Sequence, residues 1–257
     1  DMKTITLITD WNDDDYFVGA VKGYMLSHCP DIKLVEISHR VPLFDIQKAA
    51  FILKSCYNSY PEKTVHISGV RGFNNRKSAL PVAVSYKGQF FFGFDNKAFI
   101  SIFDDDENPE MWMLNNQEST FPELDLLLKP AAKLLNGEDI NTLGTPVSEM
   151  PFVAKIRPEI SAKFMVGNVM YINGYGNAVT NITRKIFEDF IEDKQFSITV
   201  LRRQNEITKI SAIIDSPEGE LFAIFNTLGL LEIGQMNYRL DESVGVGLLS
   251  KIRIEKK

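Results

Sequence analysis

The sequence predicts an N-terminal α/β domain followed by a region of short antiparallel strands, and three features carry that prediction. Strand-like apolar runs alternate with runs of helical period through the first half of the chain. The stretch Thr145–Pro151 then has the Pro and Ser content of a connector. From Ala162 onward short strands with turn signals follow one another, with little helical periodicity.

Taken in order, Ile5 to Thr9 reads as a buried strand. Phe17, Val18, Val21, Tyr24 and Met25 then recur at helical spacing behind Asp13, Asp14 and Asp15, acids that suit the positive end of a helix. Ile32 to Ser38 is a second strand. Asp45 can cap a helix with Ile46, Ala49, Leu53 and Cys56 on one face, and Val65–Ile67 returns as a third strand. Strand, helix, strand, helix, strand implies a mainly parallel sheet with flanking helices. Val82 to Tyr86 and Gln89 to Phe92, joined by Lys87-Gly88, add a hairpin. A helix follows near Leu124 to Leu135. In the second half the expected strands are Val166–Ile172, Phe196–Leu201, Ile207–Ile214, Leu221–Phe225 and Lys251–Glu255, with a helix around Ile186–Ile191. Such spacing fits a small barrel or a sandwich. The domain reading is 1–150, a linker 151–161, and 162–257.

At 257 residues and 44% hydrophobic, the chain can bury one large core or two modest ones. Its net charge of −6 would repel a phosphate backbone, which argues against nucleic acid. The two cysteines, Cys29 and Cys56, are too few for a disulfide framework or a zinc site and read as core thiols. Lys3–Thr9 reads as a strand rather than an export leader, and no apolar run reaches the ~18 residues of a bilayer span. The expectation is a cytoplasmic protein that engages no membrane.

Asp10 is the first candidate for chemistry. Ligands of open α/β sheets sit beyond the carboxyl ends of the strands, where Asp10 falls, and a carboxylate there can accept both hydroxyls of a ribose. Asp13 and Asp14 read as solvated helix-start acids. The pair Gly176-Asn177 is explained by hairpin chemistry alone, although the same residues can also face a ligand. His39 and His66 lie at strand ends and read as structural. No metal-ligand spacing occurs, and Gly69–Gly72 lacks the Lys-Ser/Thr of a phosphate loop.

Five stretches, in order, resemble motifs of the S-adenosylmethionine hydroxide adenosyltransferase family, whose relatives include fluorinases and chlorinases. Thr9-Asp10-Trp11-Asn12 with Asp15 and Gly19 is similar to the family's opening Thr-Asp-Phe-Gly and following Asp. Ser38–Pro42 with Asp45-Ile46 resembles Thr-His-x-Ile-Pro and Asp-Ile, with Phe44 where fluorinases carry a tryptophan near the ligand. Gly93-Phe94-Asp95-Asn96 resembles Gly-Pro-Asp-Asn. Tyr171–Ile182 looks like Asp-Arg-Phe-Gly-Asn-x-x-Thr-Asn-Ile, and Asn226–Ile233 like Asn-Ser-x-Gly-x-Leu-Glu-Ile. The resemblance implies that Asp10 binds a ribose diol, with Asp15 as the second acid. Asn177 then meets the adenine edge, Tyr175 lines the base, and Asn226 and Thr227 lie in the loop near the amino-acid end. Phe44, Asp95 and Asn96 complete the expected ligand-binding set.

The sequence also departs from the family. Hydrolase members carry Asp-Pro-Gly-Val-Gly with an Arg soon after, and a later Phe-His-Gly-Arg-Asp; their Asp, Arg and His prepare water for attack. Here the loop is Ser68–Lys77, the Asp position falls on Gly69, Val70 or Arg71, and the Arg on Arg76 or Lys77. The later segment reads Phe121-Pro122-Glu123, so the histidine is Pro122, which relays no proton, and the small Gly is Glu123. A carboxylate at that position would repel a halide. Glu123 reads either as an acid in the first turn of the next helix or as a replacement base, which leaves Arg76 and Glu123 as the catalytic candidates.

The resemblance further implies an N-terminal α/β domain, a C-terminal β-barrel, no cofactor, and a homotrimer with the site between subunits. Its ligand would be S-adenosylmethionine or adenosine. Two readings stand: hydrolysis of S-adenosylmethionine to adenosine and methionine, or non-catalytic nucleoside binding by a protein that has lost the water-activating groups.

Overall fold

The aliphatic and β-branched run Lys3–Ile8 forms β1, and from Thr4 to Ile8 every residue is buried. A computed structural model describes residues 2–71, 80–103 and 108–257, apart from the Arg203 side chain, and divides the chain into units Asp1–Ala154 and Lys155–Lys257. In the first unit β1 pairs in parallel with β2 (Ile32–Ser38), Ile5 facing Leu34, and with β3 (Val65–Ser68), Ile5 facing Val65. Helix α1 (Tyr16–His28), capped by Asp15, and α2 (Ile46–Cys56), capped by Asp45, make the crossovers. Leu7, Val21, Met25, Leu127 and Ala131 share one core.

The sheet is mixed. Its order is β2-β1-β3-β5-β4-β6-β7, with β4 Pro81–Tyr86, β5 Gln89–Phe94, β6 Glu110–Leu114 and β7 Gly144–Pro146. The pairings β1/β2, β1/β3 and β3/β5 are parallel, whereas β5/β4, β4/β6 and β6/β7 are antiparallel. A mainly parallel sheet therefore holds only for the half β2-β1-β3-β5. The reason is local: Lys87 (φ 48°) and Gly88 (φ 73°) turn a two-residue hairpin, which can only reverse the chain. After the short α3 (Lys97–Ile100) and β6, Glu123–Leu128 form a π-helical turn that runs into α4 (Lys129–Leu135), and α5 (Ile140–Leu143) leads to β7.

The second unit is an antiparallel sheet of order β12-β11-β15-β9-β10-β14-β13. Its strands are β8 Glu159–Ile160, which pairs with β9, then β9 Phe164–Ile172, β10 Ala178–Thr183, β11 Phe196–Val200, β12 Arg202–Ile207, β13 Leu221–Phe225, β14 Leu230–Gln235 and β15 Lys251–Lys256. Ser211, beyond β12, donates its N–H to Ala223 of β13 at 2.8 Å, so the two ends of the sheet meet and the sheet curls into a barrel-like form. Phe187, Phe190 and Ile191 of α6 (Arg184–Ile191) pack into this core, and a short α7 (Leu240–Ser243) precedes β15. The strand expected at Ile207–Ile214 lies earlier, because Leu201 (φ 60°) turns the chain and lets the polar run Arg202–Glu206 pair with β11. Strands β10 and β14 escaped the sequence reading because buried Thr180 and Glu232 interrupt their apolar pattern.

His66 of β3 is fully buried. Gln89 Nε2 donates to the Tyr57 carbonyl at 3.4 Å, which fixes the amide so that its Oε1 accepts from His66 Nε2. The neutral ring then accepts at Nδ1 from the Thr6 hydroxyl at 2.7 Å. Burial lowers the His66 pKa to about 4, against a smaller upward pull from Gln89. The unfolded chain takes up this proton near pH ~6.5, so stability is present above that pH and is lost as pH falls toward the folded value, by about 3 kcal/mol in full. Denaturant unfolding at about pH 7.5 and about pH 4.5 should reveal the loss, and His66→Gln should remove that part of it. Identical pH slopes in the two proteins would contradict the assignment.

Candidate functional site

The carboxyl end of β1 is locked on both sides. Thr9 donates its N–H to Ser38 O at 2.9 Å, and Gly69 donates to Ile8 O at 2.8 Å. Half-buried Asp10 emerges from this junction, and its Oδ2 accepts the Phe44 N–H at 2.9 Å. Phe44 sits at φ 64°, a left-handed conformation costing roughly 1–2 kcal/mol for a residue with a side chain, so the bond to Asp10 helps hold a strained loop. Asn12 is also left-handed, at φ 63°, which Asn tolerates well. Burial raises the Asp10 pKa, and the Phe44 N–H, its own N–H and the Arg71 charge pull it back.

Trp11 organises the next layer. Its ring stacks on His39 at 5.9 Å and meets the edges of Phe121 at 5.3 Å. His39 is tied to Thr9 Oγ1 at 2.7 Å and to Glu36 at 3.0 Å, and Glu36 to Lys22 at 2.9 Å. Phe121 delivers Pro122 and Glu123, and the π-helical turn begins at Glu123. Such turns are frequent at functional sites. Glu123 is 6% exposed, and its Oε1 lies 2.7 Å from Arg71 Nε. The Arg71 guanidinium in turn lies 5.7 Å from the Phe94 ring centroid. Burial raises the Glu123 pKa; Arg71 opposes that and the Asp10 charge adds to it. Asp10, Arg71 and Glu123 thus form one electrostatic cluster at the carboxyl ends of parallel strands.

The second unit holds a separate cluster. Glu232 of β14, 7% exposed, accepts from Asn173 at 2.8 Å and Asn177 at 2.9 Å through Oε1, and from Asn226 at 2.9 Å through Oε2. Asn173 Oδ1 accepts the Tyr175 and Asn177 N–H groups, and Asn226 Oδ1 those of Leu228 and Leu230. Gly176 (φ 79°) completes the turn; an added Cβ would strike Asp241 and Arg239. Tyr175 is 81% exposed beside it.

Both units match one family. The model described as SAM hydroxide adenosyltransferase N-terminal domain matches residues 5–144, and the corresponding C-terminal domain model matches residues 167–253. The chain belongs to the SAM hydroxide adenosyltransferase family. It is 24% identical to the (R)-S-adenosyl-L-methionine hydrolase of Methanocaldococcus jannaschii, over 98% of this chain and 96% of that one. It is 28% identical to a fluorinase of Nocardia brasiliensis over 72% of each. A crystal structure of an uncharacterized conserved protein from Thermotoga maritima superposes with a TM-score of 0.85 at 23% identity, covering 98% of this chain and all of that one, which establishes the shared fold.

Within this family frame the other expected residues take varied places. Asp15 is exposed and caps α1 through the Tyr16 N–H. Asn96 caps α3 through the Phe99 N–H at 2.8 Å and donates to Phe94 O, with Asp95 partly buried beside it. Thr227 is exposed in the turn after Asn226. Arg76 lies outside the described residues. Three participants were missed in the sequence: Arg71, which figured there only as one register of the lost aspartate, and Asn173 and Glu232, both inside quoted motifs. Among the described residues no set of three His, Cys, Asp or Glu side chains could hold a metal, and no helix is long and apolar enough to cross a membrane.

The Asn cluster makes a stability test. Glu232→Ala would leave three buried or half-buried amides without their acceptor and should cost about 3 kcal/mol or more, hydrogen bonds to a charged group being worth about 1.5–3 each. Glu232→Gln should cost less, since Gln still accepts. Urea unfolding measures both, and an unaffected Glu232→Ala protein would refute the role.

Proposed function

We propose that this protein binds SAM at the carboxyl end of β1 and hydrolyses it to adenosine and methionine. The observation that carries the reading is Asp10, a half-buried carboxylate fixed at the strand end by the Phe44 N–H, in a chain of the SAM hydroxide adenosyltransferase family. A carboxylate so held suits a ribose diol, whose paired hydroxyls both donate. Two hydrolase relatives, from Methanocaldococcus jannaschii and Thermus thermophilus, align over nearly the whole chain and support water as the nucleophile. The buried charge of Glu123 beside this site disfavours a halide.

The reaction is displacement at the ribose C5′ carbon. Its sulfonium leaving group is already activated, so positioning and exclusion of bulk water supply much of the rate. For the remaining residues we propose that Asn177 meets the adenine edge, Tyr175 lines the base, and Phe44, Asp15, Asp95, Asn96, Asn226 and Thr227 border the ligand. The assembly we propose is a homotrimer in which Tyr175 and Asn177 of one copy complete the Asp10 site of another. The exposure of Tyr175 (81%), an aromatic ring standing out of the turn, supports it.

Saturating SAM or adenosine should raise the melting temperature by linkage, about 2.7 kcal/mol at a hundredfold excess over Kd, and Asp10→Ala should remove most of the shift. Chromatography after incubation with SAM should show adenosine; binding without adenosine would instead establish a non-catalytic nucleoside binder. An unchanged wild-type melting curve would overturn the site. Light scattering should give the mass of a trimer, and a monomer would overturn the assembly.

A further inference from the structure

Gly69 is a direct neighbour of a carboxylic side chain. A Cβ built on Gly69 would lie 3.1 Å from Thr9 Cγ2 and 3.4 Å from Glu123 Cγ, and the Gly69 backbone is not left-handed. Conformation therefore does not require glycine there, and a Cβ would touch Glu123 Cγ at ordinary van der Waals distance, so positions 69 and 123 are direct neighbours. Glu123 reaches this point from the π-helical turn and ends in the ion pair with Arg71, two residues beyond Gly69. The family pattern would put an acid on this loop and a small residue at the helix start; this chain has glycine on the loop and the acid at the helix start. Gly69, one of the expected registers for the lost aspartate, is a position whose Cβ would lie against the Glu123 side chain.

We propose that Glu123 is the general base of the hydrolysis and that Arg71 is its positioning residue, the carboxylate having moved across the site from the loop to the helix while keeping its place beside Asp10. This deepens the SAM-hydrolysis reading and rests on it. As the oxygen of water bonds to C5′, Glu123 takes one of its protons, the C5′–sulfur bond breaks with both electrons going to sulfur, and methionine leaves as a neutral thioether. The proton then passes from Glu123 to solvent. Two features of the geometry suit this work. The carboxyl is almost wholly buried, which raises its affinity for a proton above that of a surface acid, chiefly through desolvation. The Arg71 guanidinium binds one of its oxygens from the side, which fixes the plane of the group.

The exchange is tested with the full-length protein and SAM as substrate, following SAM binding by calorimetry and adenosine release by chromatography. Glu123→Gln keeps the size and should lower kcat by ~10²-fold or more, with KM and the SAM affinity little changed. In the wild type kcat should rise with pH through one ionisation, and that limb should vanish in Glu123→Gln, an effect that a merely structural ion pair would not produce. Arg71→Gln should lower kcat less and move the ionisation upward, because the positive charge that holds the proton affinity down is gone. The reciprocal variant Gly69→Asp/Glu123→Gly should recover at least about tenfold over Glu123→Gly, whereas Gly69→Asp alone, which crowds two acids together, should be slower than wild type. Wild-type protein that binds SAM and turns it over at a rate unchanged in Glu123→Gln would overturn this proposal and leave the SAM site intact. Binding with no turnover would also overturn the base alone. Wild-type protein that binds no SAM would overturn the site and the proposal together. Should Glu123→Gly fail to fold, the pH profile of the wild type against Glu123→Gln decides.

Discussion

A buried carboxylate held against a guanidinium, at a point where two parallel strands end, is the constraint around which the first unit is organised. Glu123 meets Arg71 from the start of the π-helical turn, where Phe121 packs on Trp11 and the Glu123 side chain lies against Gly69. Moving a charge out of water costs several kcal/mol, and an ion pair repays this only with good geometry and further polar partners. Stability is thus a poor explanation for the pair. Its position next to Asp10, whose charge raises the proton affinity of Glu123 while Arg71 lowers that of both acids, fits a site better than a scaffold.

The two units solve the problem of a buried carboxylate in different ways. Glu123 is balanced by a charge. Glu232 is balanced by three neutral amides, from Asn173, Asn177 and Asn226, each of which has its carbonyl oxygen or backbone engaged in a turn. The second solution fixes geometry without a counter-ion, so the loops carrying Tyr175 and Thr227 are braced from beneath by one side chain of β14. Because, of the two ends of a side-chain amide, only the NH₂ can donate to a carboxylate, the orientation of every amide in the cluster is set.

Local strain marks the same regions. Phe44 is left-handed, and its N–H is bonded to Asp10 Oδ2. His39 has a quieter part, propping Trp11 from a network that runs through Thr9, Glu36 and Lys22.

Much of this was legible in the linear sequence, because period and capping are local properties. The strands β1, β2 and β3, the Asp45 cap and the Lys87-Gly88 hairpin follow from residues close in the chain, and so does the family, whose motifs are contiguous. The position of Asp10 after a buried strand also needed nothing beyond order. Strand pairing was not legible: the outer half of the first sheet is antiparallel, and β10, β12 and β14 hide among polar residues whose partners lie far along the chain. Nor could the sequence decide between a helix-start acid and a site acid at Glu123. That choice depends on Arg71 and Gly69, more than fifty residues earlier, and on the space between them. Sequence determines which groups a chain carries and what they do to their neighbours. Only the packed structure decides which distant charges are taken from water together, since desolvation and Coulomb attraction depend on distances that folding alone creates.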